Sequence, residues 1–250
     1  MADFGVVTLS VIPVRESSSH RAEMISQLLF GDSFTILQQE PDWLFVRNTF
    51  DGYQGWIERK QISIVAEDEF LKWNVRPKFV VNKPLAVIRC DDSPMIIPGG
   101  VSLPIEHSFT ISNQQFTHQL TKENGLKIAS LAMQFINTPY LWGGKTVMGF
   151  DCSGFSQIVF KTYGVDLPRD ASQQAEIGTV VDFLEEVVAG DLAYFHNSEG
   201  NITHVGILIS PTQIIHCSGS VRIDQMDHHG IYNKQLGVYT HELRFIKRVI

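Results

Sequence analysis

The hydrophobic pattern changes character near residue 119, and that change limits the folds open to this chain of 250 residues. Before it, apolar residues alternate in short bursts. Val7, Leu9 and Val11 alternate with Thr8 and Ser10, Phe34 and Ile36 alternate with Ser33 and Thr35, and Trp43-Leu44-Phe45-Val46 is a short buried run. Asp51-Gly52 is a tight-turn dipeptide ahead of Gly55-Trp56-Ile57. Five or six short strands over residues 5–65 predict a small barrel rather than a sandwich. Residues 66–118 repeat the theme with Leu85-Ala86-Val87-Ile88, Met95-Ile96-Ile97 and Phe109-Thr110-Ile111, punctuated by Pro84, Pro94, Pro98 and Pro104. They read as a second, smaller lobe, or as a β-rich linker docked on its neighbours. Either buries little surface by itself and gains stability by docking.

After residue 119 the period lengthens. Leu126, Ala129, Met133 and Ile136 fall at helical spacing and predict a helix over 122–136. A second helix is expected from Cys152 to about Tyr163, with Phe155 and Val159 inward and Gly164 as its stop. Asp170 caps a short third helix ending near Gly178. Strands follow at 192–195, 205–209, 214–218 and 245–250. The expected class is α+β: a domain with an antiparallel sheet over 119–250, behind two small all-β pieces at 1–65 and 66–118.

Composition narrows the function classes. An apolar fraction of 44% and a charged fraction of 19% describe a globular chain. Net charge is −7 with Lys and Arg scattered, which argues against a nucleic-acid partner. No apolar run approaches the ~18 residues of a membrane span, and Met1-Ala2-Asp3-Phe4-Gly5 lacks the basic start of a signal peptide. The expectation is a cytoplasmic monomer with no membrane partner. Cys90, Cys152 and Cys217 cannot form an even disulfide framework, as expected of a reducing compartment. His228 and His229 are adjacent and diverge in a strand, and no His-Glu-x-x-His or paired Cys-x-x-Cys occurs. No metal or other cofactor is expected.

Asp151-Cys152-Ser153-Gly154 opens the second predicted helix. With Asp151 as N-cap, Cys152 falls in the first turn, where free N–H groups and the dipole favour a thiolate. Cysteines so placed have lowered pKa and raised reactivity. A nucleophile of this kind needs a base. If the ladder joining 205–209 to 214–218 is centred near residue 210 or 211, His204 and His216 share one sheet face, opposed or diagonal. A half-residue shift would put Cys217 there and send His216 to the other face. Cys152, His204 and His216 then match the logic of nucleophile, base and orienting group.

At this point a resemblance enters. Pro139-Tyr140-Leu141-Trp142-Gly143-Gly144 followed by Phe150-Asp151-Cys152-Ser153-Gly154-Phe155 resembles the signature of the NlpC-type cell-wall peptidases, papain-like cysteine hydrolases of bacteria. Leu167-Pro168-Arg169-Asp170, Ala189-Gly190-Asp191-Leu192-Ala193-Tyr194-Phe195, Thr203-His204-Val205-Gly206-Ile207 and Ile215-His216 follow in the family's order. The run from Asp51 to Ile57 resembles the end of a bacterial SH3-like domain, and both N-terminal pieces are read as SH3-like lobes. The chain as a whole resembles γ-D-glutamyl-L-diamino acid endopeptidases.

The resemblance implies a murein stem peptide with free N-terminal L-Ala, cut between γ-D-Glu and the diamino acid. It gives the triad roles to Cys152, His204 and His216, and makes Tyr140 the second oxyanion donor beside the Cys152 N–H. SH3-bearing relatives supply a glutamate and a tyrosine for the substrate ammonium. Glu23 and Tyr53 are the candidates here, with Asp151 as a further acceptor. Ser153 and Ser172 are candidates for the peptide's carboxylates, Trp142 for a cleft wall, and Arg169 for either a carboxylate site or a structural role. Two other readings compete: a muramoyl-L-alanine amidase or broader wall hydrolase, and an inert wall-binding module.

Overall fold

A computed structural model describes residues 3–123 and 125–250 of the chain. It divides into two compact units, Met1–Asn124 and Gly125–Ile250.

The first unit begins with seven strands: β1 (Asp3–Val6), β2 (Val11–Arg15), β3 (Met24–Leu29), β4 (Ser33–Gln39), β5 (Trp43–Asn48), β6 (Gln54–Glu58) and β7 (Ser63–Val65). They form one antiparallel sheet in the order β3-β2-β6-β5-β4-β1-β7. The alternation of Phe34 and Ile36 with Ser33 and Thr35 puts both on the buried face with Ile12, Val14, Leu44 and Ile57. The Val7-Leu9-Val11 alternation, in contrast, does not form a strand: residues 7–10 lie outside β1 and β2, Leu9 is exposed, and β2 buries Ile12 and Val14 instead. The Asp51-Gly52 turn forms as expected. Asp51 Oδ1 accepts from Asn48 Nδ2 at 2.8 Å and from the Tyr53 N–H at 3.1 Å.

Helix α1 (Glu67–Val75) was not anticipated. Its first turn is Glu67-Asp68-Glu69, a charge pattern that favours a helix start. Six further strands follow: β8 (Lys78–Val80), β9 (Leu85–Cys90), β10 (Ser93–Pro98), β11 (Ser102–Pro104), β12 (Ser108–Ile111) and β13 (Gln114–Thr117). They make a four-stranded sheet, β10-β9-β13-β12, and the pair β11-β8. This lobe shares its core with the first. Buried Phe30 packs on Phe109 and Phe116, and the Trp73 Nε1–H donates to the Gly31 carbonyl at 2.8 Å. Neither piece closes its apolar surface alone, which is why they form one unit.

In the second unit the helix expected over 122–136 is short: α2 spans only Ile128–Met133. Gly125 sits at φ +75° and Lys127 is extended, so the helical path cannot start earlier. One pair of strands of minimal length, β14 (Lys145–Thr146) and β15 (Gly149–Phe150), leads to α3 (Cys152–Tyr163). That helix starts and stops where read, with Asp151 as N-cap and Gly164 left-handed at its end. Helix α4 (Ala171–Gln174) has the Asp170 capping box and passes through tighter turns to Gly178.

The sheet holds more strands than the sequence showed. β16 (Thr179–Val181), β20 (Ser220–Asp227) and β21 (Gly230–Asn233) join β17 (Leu192–His196), β18 (Ile202–Ser210), β19 (Gln213–Ser218) and β22 (Val238–Arg248). The last strand begins at Val238 rather than near Phe245. β22 pairs with both β17 and β21, so the six strands from β17 to β22 close into a barrel. Phe195, Leu208, Ile214, Met226 and Ile231 form its interior cluster. Among the described residues no helix is long and apolar enough to cross a membrane.

Candidate active site

The site grows from the start of α3. Asp151 caps the helix by accepting the Gly154 N–H at 2.6 Å, and its other oxygen accepts the Gly143 N–H at 2.9 Å. Arg169, 1% exposed, closes on the same carboxylate with Nη2–Oδ2 at 2.5 Å and Nη1–Oδ1 at 3.1 Å, and donates to Ser153 Oγ at 2.9 Å. Of the two roles open to Arg169, the buried one is realised: it holds the loop under the helix. The small residues of the motif have a steric cause. A Cβ on Gly154 would lie 2.2 Å from the Gly144 carbonyl oxygen.

This scaffold presents Cys152 to the sheet. Its thiol lies 4.0 Å from the Thr203 carbonyl oxygen, and the Val205 N–H turns toward the sulfur, so the thiol rests against the main chain on both sides of His204. Burial, reinforced by the Asp151 charge, pushes the Cys152 thiol up to about 11. The helix start by itself favours a lowered thiol pKa. Here the N–H donors and Arg169 pull downward, but loss of solvent outweighs them.

The register of β18 on β19 decides between the two histidine arrangements. Gly206 stands opposite His216 and Ile207 opposite Ile215, so the ladder centres on residue 211. His204 and His216 therefore share a face as diagonal neighbours, with His204 Nε2 2.8 Å from His216 Nδ1. Gly206 leaves room for this, because a Cβ there would come within 2.8 Å of His216 Cβ. Cys217 faces away, fully buried, with its thiol donating to the Phe150 carbonyl at 3.1 Å. Burial drives the His204 imidazole well below its ordinary range, helped by His216 and His241. Burial thus favours the neutral form of both thiol and imidazole.

Two residues of the site went unread. Asp224 on β20 accepts from His216 Nε2 at 3.1 Å and pairs with Arg222, whose Nε lies 2.7 Å from Oδ2. His241 on β22 stacks on His204 with ring centroids 4.2 Å apart, and burial lowers it to about 4. Asp224 lies on β20, which the sequence analysis did not predict, and His241 on the part of β22 that precedes the predicted stretch at 245–250.

The other candidates are distributed as follows. Tyr140 is 36% exposed, and burial raises its phenol, with Cys152 and Asp151 close enough to push it higher. It therefore stays protonated and can donate. Trp142 is 58% exposed on the loop between Tyr140 and Gly143. Ser153 is buried and donates to Asp151 Oδ1 at 3.3 Å, while Ser172 is exposed in the first turn of α4. Glu23 is exposed just ahead of β3, and Tyr53 is partly buried after the Gly52 turn, both in the first unit. Chemically, the second unit offers a nucleophile, a neutral base and N-terminal helix donors, the parts needed for acyl transfer.

Comparison with known proteins agrees. The NlpC/P60 family model matches residues 137–240, and a model described as a bacterial dipeptidyl-peptidase SH3 domain matches residues 14–62. A γ-D-glutamyl-L-lysine dipeptidyl-peptidase from Bacillus cereus is 28% identical over 224 residues, covering 76% of this chain and 66% of that protein. The chain thus spans just under two thirds of that relative's length. A "probable endopeptidase" from Haemophilus influenzae is 32% identical over 117 residues, covering 44% of this chain and 72% of that one. In fold, a crystal structure of an NlpC/P60 family protein from Bacillus cereus superposes with a TM-score of 0.81, at 20% identity, covering 98% of this chain and 99% of that chain. With the family model lying over the strands that carry both histidines, the chain belongs to the NlpC/P60 family.

Proposed function

We propose that this protein is a cysteine peptidase that hydrolyses the bond between γ-D-glutamate and the diamino acid of murein stem peptides bearing a free N-terminal L-Ala. One observation carries the reading: Cys152 opens a helix with its sulfur against the two residues that flank His204, and His204 is itself held by His216. As the thiol attacks the γ-carbonyl carbon, its proton passes to the free nitrogen of His204. The oxyanion is met by the Cys152 N–H, which as the first helical residue has no partner within the helix, and by the Tyr140 phenol. The tetrahedral intermediate collapses to a thioester as His204 protonates the departing amine. Water then hydrolyses the thioester, returning the thiol.

The substrate class is supported by the named activity of the Bacillus cereus relative and by the dipeptidyl-peptidase type of the SH3 match, whose span includes Glu23 and Tyr53. In this reading Glu23 and Tyr53 receive the substrate ammonium. A charge-assisted contact of that kind is worth about 1.5–3 kcal/mol, up to about a hundredfold in rate. The test incubates the protein with L-Ala-γ-D-Glu-diaminopimelate, its lysine counterpart and the N-acetylated forms, with products read by mass. Acetylation also adds bulk that the ammonium site excludes, so the free-amine peptides should be cleaved at least about a hundredfold faster, and Glu23→Ala should narrow that ratio. Equal cleavage of acetylated peptide or intact murein would replace this reading with a broader wall hydrolase.

A further inference from the structure

Three neighbouring strands carry His204, His216 and Asp224 in a diagonal line across one face. Gly206 pairs with His216 and His216 pairs with Arg222, so each member of the line sits two residues from the partner of the next. The contacts are consecutive: His204 Nε2 to His216 Nδ1 at 2.8 Å, then His216 Nε2 to Asp224 Oδ2 at 3.1 Å. We propose that Asp224 is a positioning residue that fixes the tautomer of both imidazoles and thereby leaves Nδ1 of His204 as the unprotonated nitrogen available to Cys152. The proposal rests on the acyl-transfer reading of the site.

The reasoning is a matter of donors and acceptors. An ionised carboxylate only accepts, so His216 must carry its proton on Nε2. A neutral imidazole has one N–H, which leaves Nδ1 of His216 as an acceptor. The atom facing it, Nε2 of His204, must therefore be the donor. His204 is then left with a lone pair on Nδ1. Without the carboxylate, nothing prevents the chain from running the other way, and His204 would present Nδ1–H where a base is needed.

Arg222 keeps the direction fixed. Its Nη2 donates to Asp224 Oδ1 at 2.8 Å, and its Nε lies 2.7 Å from Oδ2, so both carboxylate oxygens face a cation. Burial works against the charged carboxylate, but hydrogen bonds from His216 and Arg222 outweigh it and hold Asp224 below the usual range.

The experiment is histidine ring ¹⁵N NMR on the full chain at neutral pH, combined with steady-state kinetics on the free-amine peptide. The wild type should show Nε2–H with unprotonated Nδ1 on both His204 and His216. Asp224→Leu should populate Nδ1–H on His204, slow alkylation of Cys152, and lower kcat about tenfold or more with KM little changed. Asp224→Asn, which keeps an acceptor oxygen, should fall between. A wild-type His204 carrying Nδ1–H would overturn the proposal, as would an Asp224→Leu variant with unaltered tautomers and kcat. If the leucine variant does not fold, the wild-type spectrum and the asparagine variant decide. Tautomers and alkylation are read without substrate. A wild type that leaves the peptide uncut would thus defeat the proposed function alone.

Discussion

Two aspartate–arginine pairs support the two halves of the site, and they do so under different conditions. Asp151–Arg169 lies behind the nucleophile, with side chains 7% and 1% exposed. Asp224–Arg222 lies behind the histidines, with its aspartate 8% and its arginine 30% exposed. In the first, guanidinium, capped helix and loop N–H groups all converge on one carboxylate, and the arginine that pairs with it is buried. The second has one face toward solvent and passes its effect along a row of imidazoles. A buried pair is expensive to break because the remaining charge has no solvent, whereas a half-exposed arginine can be replaced by water. The comparison separates a pair that fixes where the nucleophile stands from one that fixes which nitrogen receives its proton.

Removing the nucleophile sets the upper limit. Cys152→Ala should abolish hydrolysis with circular dichroism and Tm essentially unchanged, since the helix start tolerates alanine. Retained turnover would end the cysteine reading on both sides of the comparison. Breaking the buried pair comes next. Arg169→Met should cost about 3–5 kcal/mol in urea unfolding, the range for an orphaned buried charge. A loss below about 1 kcal/mol would show that the two pairs are equivalent after all.

On the histidine side, His204→Ala should remove both turnover and neutral-pH alkylation of Cys152 by iodoacetamide, and His216→Ala should cost less, because it orients rather than transfers the proton. Equal losses would mean that His216 itself moves protons. The pH dependence comes from the same burial. His241 titrates at about 4 and His204 well below its ordinary 6.5, so an unfolded chain takes up protons that the folded one refuses. Stability should therefore fall as pH drops from about 6.5 to about 4, and the acid limb of kcat/KM should lie well below 6.5. An acid limb at or above 6.5 would place His204 in water. The smallest effect belongs to the exposed partner: Arg222→Gln should change stability by less than about 1 kcal/mol.

Much of the second unit was legible because local rules and tertiary packing agree there. Asp151, Cys152 and Gly164 obey cap and stop rules that need only neighbouring residues, and α3 formed as read. The apolar spacing of Leu126, Ala129, Met133 and Ile136 predicts a helix over 122–136, but the left-handed Gly125 prevails in the fold and α2 spans only Ile128–Met133. β20 carries a short alternation of Val221 and Ile223 with Arg222 and Asp224 that does not continue to Met226, and β21, four residues long, is too short to show a period.

The sequence alone determined which residues could react: a cysteine at a helix start, an acidic cap immediately before it, and two histidines on strands further along the chain. Short-range forces suffice for that, since capping and alternation act over a few residues. Tertiary structure alone decided three other matters. The β18–β19 register put His216 rather than Cys217 beside His204. The closing of the barrel through β22 brought His241 onto the base. Burial raised the thiol that the helix start by itself would have lowered. Register, closure and desolvation depend on residues far apart in sequence, and their energies exist only once those residues have met.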